Sequence, residues 1–498
     1  MSFLLLSAPA LLAATYVLAE DGSGDFTDAD SALSALTDGD ELRLLDGTYT
    51  LTERHVLSAD GIRIVGSGRD NVVIDGGGEP PGLDIKVTGS AEISGIHFRN
   101  FDYPEAPLVS ALILDLRSGQ VVEIRDVRFS QNSNGVSLSF ALYATAQPAA
   151  ADSRVLIVDS EFVDNKYAIG AGCCGEMRVE NNLFYGNDYG IWVGYEGTVS
   201  TDVTVVHNTF IEHEIDVARA SNSGYHSGPL TVTNNLHVES AAVIASYESS
   251  EQLDIGYNLL DDIDLFWHPW GDESAQVGDH DNKNGDAHFL AYTEGAPFED
   301  QDFRLGPESD AIDFGVAGAS TTGLDHDGTV RPLDGDLDGE ALPDAGAFEV
   351  NPDVDADGYP SADLGGTDCD DTDPATHPGA TEICGDGVDQ DCVDGDLPCD
   401  SGTETGSTGT EDTADTSTSP DSGTTPEDSG PVERPTDTGL GSPDDQGPCG
   451  CAAGALAGAA PLWVVGLLAG RRRRSAPQPG LHLLGEHAEV AQALVQGS

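Results

Sequence analysis

Residues 179–193 read VENNLFYGNDYGIWV, and this stretch decides the fold. Around Phe184 apolar and polar residues alternate, which is the period-two pattern of a β-strand with one buried face. Gly and Asn then turn the chain, and Ile191 lies in a second short strand seven residues past Phe184. No helical spacing of apolar residues connects the two. The stretch therefore predicts two short strands joined by a tight turn.

The same pattern recurs through residues 72–260, with one anchor residue in every 22 to 33 positions. The anchors are Phe98, Phe129, Phe162, Phe184, Phe210, His237 and Leu260. The second strand keeps its offset at Val136, Ile169, Ile191 and Val217. Strands this short pair with the next unit rather than within one unit. The sequence thus predicts an all-β parallel solenoid.

Asparagines occupy two fixed positions in the repeat. Two residues before the anchor they are Asn182, Asn208, Asn235 and Asn258, and three residues after it they are Asn132, Asn165 and Asn187. An Asn at the same bend of each coil can hydrogen-bond to the coils above and below it, which satisfies buried backbone groups. We interpret both rows as structural ladders.

The chain is strongly acidic, with 88 Asp and Glu against 21 Lys and Arg in 498 residues and a formal net charge of −67. This charge excludes nucleic acid as a partner, because binding requires basic groups that neutralise phosphates. Contact with an anionic membrane surface is disfavoured for the same reason. The charge favours cations or neutral or cationic polymers as partners, or salty water as the solvent.

The repeats resemble those of right-handed parallel β-helix proteins of the pectin-lyase-like superfamily. The segment from Asp38 to Tyr49 is similar to the family's first coil, and Phe303–Glu349 resembles the end of surface-anchored members. The resemblance covers residues 16–350 and implies a single-stranded right-handed parallel β-helix. It implies less about function, because this fold hosts many activities.

Family lyases use a Lys or Arg base beside Ca²⁺-binding acids, and family hydrolases use grouped aspartates with a His. Neither pattern is visible in this chain. The candidate catalytic residues are Asp216, Arg219, His226, Lys166 and Asp188. Lys166 and Asp188 lie at the same turn of successive coils. The alternative to a catalytic role for them is a row of solvent-exposed ion pairs.

Aromatic residues suggest a further candidate surface. Trp192 is predicted on the outward face of its strand with Tyr189 nearby. Exposed rings in such a position could stack on sugars.

Residues 353–358 read DVDADG, with three carboxylates on alternate positions before a Gly. This spacing lets the carboxylates converge on a hard cation, as in an EF-hand loop. The twelfth position is Leu364 instead of Glu, so a full EF-hand is excluded, although Asp363 could contribute. Residues 334–339 repeat the pattern, for which a polar turn is the alternative. A site in this second loop would use Asp334, Asp336, Asp338 and Asp344.

Residues 353–396 closely resemble the metal-binding motif repeat of bacterial surface proteins, one of which binds copper. The ligands are almost all carboxylates, which favours Ca²⁺, while another divalent metal such as copper stays open. The candidate ligands are Asp353, Asp355, Asp357, Asp363, Asp368, Asp370, Asp371, Asp373, Glu382, Asp386, Asp389 and Asp391.

Four cysteines in the same segment indicate a module that is too small for a hydrophobic core of its own. They are Cys369, Cys384, Cys392 and Cys399. In an exported chain they are expected to form two disulfides, and three pairings are possible. Zinc is the competing interpretation, but the spacings fit no common zinc site.

Both ends of the chain resemble export signals. Residues 1–14 are predicted as a signal peptide. Residues 401–447, rich in Thr, Ser and Asp, are predicted as a disordered linker. In residues 448–474, Cys449 and Cys451 precede an apolar span and four arginines. This order resembles a myxobacterial-type C-terminal sorting signal, which implies lipidation or processing at the cysteines. An ordinary membrane anchor is the alternative. Residues 475–498 form a tail of unknown role.

The sequence as a whole predicts a β-helix over residues 16–350 and a small disulfide-stapled, Ca²⁺-binding acidic module over 351–400. A disordered stalk and a C-terminal apolar span follow. We expect a secreted monomer on the bacterial outer surface, with contact to the membrane only through its C-terminal segment. A non-catalytic structural, adhesive or glycan-binding role is favoured, with an extracellular polysaccharide as the expected partner. The alternative is a polysaccharide lyase or glycoside hydrolase.

Overall fold

The computed structural model describes residues 13–77, 85–101, 109–132, 139–146, 152–171, 175–193, 202–219, 228–246, 253–268 and 281–399. The candidate residue His226, Cys449 and Cys451, and the predicted stalk and C-terminal span, lie outside these ranges. Within the described part of the chain, no helix is long and apolar enough to cross a membrane.

Most elements are short β-strands. The first strands are β1 (Thr15–Leu18), β2 (Glu41–Leu44), β3 (Gly47–Thr50), β4 (His55–Leu57), β5 (Ile62–Gly66), β6 (Val72–Asp75), β7 (Ile85–Val87), β8 (Ala91–Arg99), β9 (Val109–Leu116) and β10 (Val121–Ser130). The middle strands are β11 (Ser139–Ala146), β12 (Arg154–Val158), β13 (Glu161–Val163), β14 (Tyr167–Ala171), β15 (Glu176–Glu180), β16 (Leu183–Tyr185), β17 (Tyr189–Val193), β18 (Asp202–Val206), β19 (Thr209–Ile211) and β20 (Ile215–Arg219). The last strands are β21 (Leu230–Thr233), β22 (Leu236–Val238), β23 (Ala242–Ser246), β24 (Leu253–Gly256), β25 (Leu259–Asp261), β26 (Leu265–His268), β27 (Lys283–Asn284), β28 (Phe289–Ala291) and β29 (Asp302–Leu305).

Helical structure is confined to short segments of the described chain. Helix α1 (Ala29–Ser34) packs beside β1 and β4, and two short 3₁₀ helices span Phe298–Asp300 and Ala362–Leu364. Asp28 caps α1 by accepting the N–H of Ser31 at 2.8 Å.

Successive coils stack in parallel and form three faces. The first face pairs β1, β2, β5, β8, β10, β12, β15, β18, β21 and β24. The second face pairs β3, β6, β8, β10, β13, β16, β19, β22, β25 and β27, and the anchors lie on its strands from β8 to β25. The third face is a nine-stranded sheet that runs from β4 to β26. The predicted parallel solenoid is therefore confirmed. Most coils have three strands, because the chain bends, as between β15 and β16, where the pattern had indicated one strand, whereas β8 and β10 each run unbroken across the first two faces.

The anchors form a stack inside the helix. Adjacent ring centroids lie 5.2 Å apart for Phe98–Phe129, 5.2 Å for Phe129–Phe162, 4.9 Å for Phe162–Phe184, 4.6 Å for Phe184–Phe210 and 5.1 Å for Phe210–His237. The paired rings are nearly parallel, with interplanar angles of 5° to 15°. Stacked aromatic pairs stabilise a core beyond the area that they bury.

Both predicted asparagine ladders are present. In the first, the backbone N–H of each Asn donates to the Oδ1 of the next, from Asn182 through Asn208, Asn235 and Asn258 to Asn282. The second ladder links Asn132, Asn165 and Asn187 in the same way. Its next position is His213, whose Nε2 lies 3.2 Å from Asn187 Nδ2.

Residues 287–350, which we call the cover, pack against the outside of the second face. In the later coils this face is apolar, through residues such as Leu183, Ile211 and Leu236. Residues of the cover that contact them include Phe303 and Phe348. The cover also hydrogen-bonds to the bends between the faces. For example, Asn181 Nδ2 donates to Leu324 O at 2.7 Å, and Asn234 Nδ2 donates to Val316 O at 2.9 Å.

Candidate functional site

The first acidic loop, residues 353–358, folds back onto its own carboxylates. The N–H of Asp357 lies 3.1 Å from Oδ1 of both Asp353 and Asp355. The N–H of Gly358 donates to Asp353 Oδ2 at 3.1 Å, and the φ of +95° at Gly358 is one that glycine tolerates. The turn brings carboxylate oxygens of Asp353, Asp355 and Asp357 within 4.8 Å of one another.

Two further carboxylates reach this loop from the next segment of the chain. Asp368 is 1% exposed, and its Oδ1 accepts the N–H of Asp370 at 2.9 Å. Asp371 Oδ1 accepts the N–H of Val354 at 2.9 Å, which joins the two segments. Carboxylate oxygens of Asp355, Asp368 and Asp371 lie within 4.8 Å of one another. We call the five carboxylates of Asp353, Asp355, Asp357, Asp368 and Asp371 the acidic centre.

The acidic centre fits a hard cation. The Oδ2 atoms of Asp355, Asp357 and Asp368 are buried and have no hydrogen-bond partner among the described residues. A buried anionic oxygen is costly unless a donor or a cation satisfies it. Burial and the neighbouring carboxylates raise the pKa of Asp371, and a divalent ion would relieve that repulsion. Carboxylate oxygens in this number suit Ca²⁺ better than a soft metal.

The remaining predicted ligands of the module divide into two sets. Glu382, Asp389 and Asp391 form a second group whose oxygens lie within 4.8 Å of one another. Glu382 Oε2 in this group already accepts the N–H of Gln390 at 2.9 Å. The others lie outside the described carboxylate groups, in local turns: Asp363, Asp370, Asp373 and Asp386.

Disulfides hold the module together, as predicted. Cys369 bonds to Cys392, with the Cα atoms 5.6 Å apart, and Cys384 and Cys399 are also disulfide-bonded. His377 stacks on Tyr359 with ring centroids 4.8 Å apart.

The carboxylates that group at the second acidic loop, residues 334–339, differ from the predicted ligands. Carboxylate oxygens of Asp334 and Asp336 lie within 4.8 Å of Asp313 from an earlier segment. Asp344, predicted as a ligand here, is instead 1% exposed and accepts the N–H groups of Asp313 and Val350. Asp338 accepts the N–H of Glu340 within its own turn.

Asp216, a candidate catalytic residue, is fully buried inside the β-helix. Its Oδ1 lies 2.7 Å from both His213 Nδ1 and Ser240 Oγ, and its Oδ2 lies 2.8 Å from His237 Nδ1. Burial alone would raise the pKa of Asp216, but the two imidazoles hold it below its usual value. This arrangement is a buried polar network that includes His237, the last ring of the aromatic stack.

The other candidate catalytic residues do not gather around Asp216. Arg219 is 1% exposed, pairs in register with Val193 of the core, and donates from Nη2 to Gly228 O at 3.1 Å. Lys166 and Asp188 lie at the turn before the third face in successive coils. Among the described residues, the candidates therefore form no single accessible site.

Trp192 and Tyr189 lie outside the main core, on the third face, but they are not exposed. Each is 4% exposed, and both belong to a cluster with Tyr167. Tyr167 and Tyr189 stack at 4.6 Å, and Trp192 meets both rings edge-on. The prediction of an exposed sugar-stacking surface here is wrong, because the rings are buried.

A polar pocket of about 670 Å³ lies where the cover ends. Its floor is the outer side of the second face in the early coils, and the positions directly before the anchors there are His97, Arg128 and Glu161. Further lining residues are Arg69, Asp70, Arg99, Ser130, Asp164, Phe298, Glu299, Asp302, Arg304, His326 and Asp327. In the later coils the same row is Leu183, Thr209, Leu236 and Leu259, and these residues lie beneath the cover.

Glu161 organises the floor of this pocket. Arg69 Nη2 lies 2.9 Å from Glu161 Oε1, and Arg128 Nε is ion-paired to Oε2. His326 of the cover lies 2.9 Å from Arg69 and 3.7 Å from Glu161. Burial alone would raise the pKa of Glu161, but His326, Arg69 and Arg128 outweigh it and hold the pKa at about 2.

The sequence contained one signal of this pocket. The residue before each anchor faces outward, and it changes from His97, Arg128 and Glu161 to mainly leucine along the helix. Charged residues in the early coils and apolar ones in the later coils indicate a face that is only partly covered.

Two family models match parts of this chain. Residues 45–259 match the family described as a right-handed β-helix region, and residues 368–396 match the Cu-binding MopE family of metal-binding motifs. No curated protein matches the chain. The coils are therefore those of a right-handed β-helix.

Several solved structures are similar to parts of this chain at low identity. Pectate lyase Pel9A is 15% identical, with a TM-score of 0.41 over 68% of this chain and 96% of that one. A rhamnogalacturonan lyase is 12% identical, with a TM-score of 0.38 over 56% and 91%. Pectin methylesterase PemA from Erwinia chrysanthemi is 11% identical, with a TM-score of 0.26 over 54% and 92%.

Proposed function

We propose that the chain is an exported cell-surface protein in which a right-handed β-helix is joined to a Ca²⁺-binding module. Its role is structural, adhesive or glycan-binding rather than catalytic. The disulfides of the module support an oxidising location outside the cytoplasm. The proposal includes the export signal at 1–14, the stalk at 401–447 and the sorting segment at 448–474.

The acidic centre carries the proposal. Three buried carboxylate oxygens, on Asp355, Asp357 and Asp368, converge there without a hydrogen-bond partner among the described residues. Repulsion among them opposes folding until a cation binds. The MopE-type motif supports metal binding and leaves the choice between Ca²⁺ and copper open. The carboxylate ligands support Ca²⁺.

We expect isothermal titration of the metal-free full chain to detect Ca²⁺ binding that Asp368→Asn weakens at least tenfold. The reason is that Asp368 supplies a buried, unpartnered oxygen to the acidic centre. Asp363→Asn is the matched control, because Asp363 is exposed and lies outside the carboxylate groups, and we expect it to leave the affinity unchanged.

A copper titration is the second arm of this experiment. If Cu²⁺ binds more tightly than Ca²⁺ and the Asp368→Asn variant loses that binding, the assignment to Ca²⁺ is wrong. If both variants bind Ca²⁺ like the unmodified chain, the acidic centre is not the site.

The pocket favours a second candidate function, a polysaccharide lyase or hydrolase. Burial raises the pKa of Asp164 and of Asp327, whereas Glu161 is held ionised. Carboxyl groups whose pKa values are separated in one pocket are typical of acid–base sites.

Incubation of the purified chain with acidic and neutral polysaccharides, with and without Ca²⁺, separates the two candidates. We expect no release of unsaturated or reducing ends above that of a heat-denatured control. Release that depends on the folded chain, measured at 235 nm or by a reducing-end assay, would establish the enzyme instead.

A further inference from the structure

The disulfide between Cys369 and Cys392 is built into the stretch that supplies two carboxylates of the acidic centre. Cys369 directly follows Asp368 in the chain, and Asp371 comes two residues later. Asp368 is 1% exposed, and its Oδ2 has no hydrogen-bond partner among the described residues. Both sulfur atoms and a carboxylate oxygen of Asp368 lie within 4.8 Å of one another. A bound cation and the disulfide would therefore restrain the same short stretch, residues 368–371.

The module offers this stretch little apolar support. Backbone hydrogen bonds hold its first residue, because the N–H of Asp368 donates to Pro360 O at 3.0 Å and its carbonyl accepts the N–H of Ala362 at 2.7 Å. Large apolar side chains of the module are exposed rather than packed together: Val354, Ile383, Val388, Val393 and Leu397. A segment of this kind depends on crosslinks for its stability.

The disulfide also ties residues 368–371 to a distant part of the module. Cys392 directly follows Asp391, which belongs to the second carboxylate group. Cys369 Sγ lies 3.4 Å from the carbonyl oxygen of Asp389 in the same group. The two cysteines are 23 positions apart, so breaking the bond returns conformational freedom to the whole segment between them. That segment includes Asp371.

Reductants can reach this disulfide in the folded chain. Cys369 is exposed and Cys392 is partly exposed. A dithiol such as dithiothreitol attacks one sulfur as a thiolate, breaks the S–S bond and leaves as its own cyclic disulfide. Two electrons and two protons pass to the protein in this exchange, and Cys369 and Cys392 become thiols.

We propose that cation binding at the acidic centre and the Cys369–Cys392 disulfide stabilise each other, which makes the module a redox-sensitive cation site. The inference rests on the cation site of the proposed function and adds its regulation. Coupling of two equilibria is reciprocal. The factor by which the disulfide tightens Ca²⁺ binding therefore equals the factor by which bound Ca²⁺ opposes reduction.

The test equilibrates the full chain in mixtures of reduced and oxidised dithiothreitol, with saturating Ca²⁺ or with a chelator. Thiols are then alkylated and counted at each cysteine by mass spectrometry. We expect Ca²⁺ to raise the ratio of reduced to oxidised dithiothreitol at half-reduction of Cys369–Cys392 by at least about tenfold. Cys384, which is exposed and disulfide-bonded, is the internal reference and should shift less than about threefold. Asp368→Asn should abolish the shift, whereas Asp363→Asn should keep it.

The reciprocal arm measures Ca²⁺ affinity by isothermal titration. We expect the chain carrying both Cys369→Ser and Cys392→Ser to bind Ca²⁺ at least about tenfold more weakly than the oxidised chain. The reduction arm needs no cysteine variant, so it decides the question even if this double variant does not fold.

The outcomes separate this inference from the metal proposal. If the oxidised chain binds Ca²⁺ but the half-reduction point of Cys369–Cys392 is the same with and without Ca²⁺, the coupling is wrong and the cation site stands. Equal shifts at Cys384 and Cys369, or a full shift in Asp368→Asn, would also overturn the coupling. An oxidised chain that binds no Ca²⁺ overturns the cation site itself, and the coupling with it.

Discussion

Replacing Asn208 by alanine is expected to lower the free energy of unfolding of the β-helix by about 3–5 kcal/mol, because several buried polar groups lose their partners at once. Asn208 is fully buried. Its Nδ2 donates to Val179 O at 2.9 Å, to Val206 O at 3.0 Å and to Asn235 Oδ1 at 3.0 Å. Its Oδ1 accepts the backbone N–H and the side-chain amide of Asn182. Urea unfolding followed by circular dichroism measures the loss.

Thr204→Ala is the control for this substitution. Thr204 lies on the first face of the same coil with a partly exposed side chain, so its truncation is expected to cost less than about 1 kcal/mol. Each coil of a solenoid contacts only its neighbours, so unfolding can begin locally, and both variants must be compared by the same probe. A loss of less than 1 kcal/mol for Asn208→Ala would show that the ladder does not stabilise the stack.

The ladders and the aromatic stack could be read from the sequence for a physical reason. In a stacked fold, residues at the same offset in successive coils are neighbours, so a linear repeat specifies long-range contacts directly. The offsets of Phe184 and Asn182 predict the pairing with Phe210 and Asn208 that β16 and β19 show. The repeat also tolerates replacement, since His213 takes the place of an Asn and still contacts Asn187.

The pocket could not be predicted in the same way. It depends on the cover, which has no repeat, and on contacts such as Arg69 with His326, 257 residues apart. Alternation along a strand distinguishes the inward from the outward side, but not whether the outward side is covered. This is why the sequence placed Trp192 correctly outside the core and still wrongly predicted that it is exposed.

The acidic loops also show that local spacing predicts contacts within a turn but not contacts with distant segments. Local spacing predicted the convergence of Asp353, Asp355 and Asp357, because a single turn determines it. In the second loop, Asp344 has the spacing of a ligand, but the chain carries it into a buried contact with the N–H of Asp313. Asp313, which lies outside the 334–339 motif, is the residue whose carboxylate groups with Asp334 and Asp336.

Replacing Asp216 by alanine is expected to cost about 3–5 kcal/mol of unfolding free energy, the cost of removing one partner from a buried charged network. The substitution leaves Nδ1 of His213 and Nδ1 of His237 without this acceptor, and it leaves Ser240 Oγ with the longer contact to Val238 O at 3.4 Å. Asp188→Ala is the control, because Asp188 is an exposed member of the same set of catalytic candidates and should cost less than about 1 kcal/mol. Equal and small losses for both would contradict a structural role for Asp216.

The pH dependence of unfolding tests the charge state of this network. The pKa of Asp216 is lowered from 3.8 in the folded chain, so the folded state binds its proton less readily than the unfolded state does. Its ionisation therefore stabilises the fold above about pH 4, and that stabilisation is lost as the pH falls below this value. Asp216→Asn keeps the size of the side chain and removes its titration. We expect its unfolding free energy to fall less steeply between pH 4 and pH 2 than that of the unmodified chain. Parallel curves for the two proteins would mean that Asp216 is already protonated in the folded core, and that the two imidazoles do not hold it as a carboxylate.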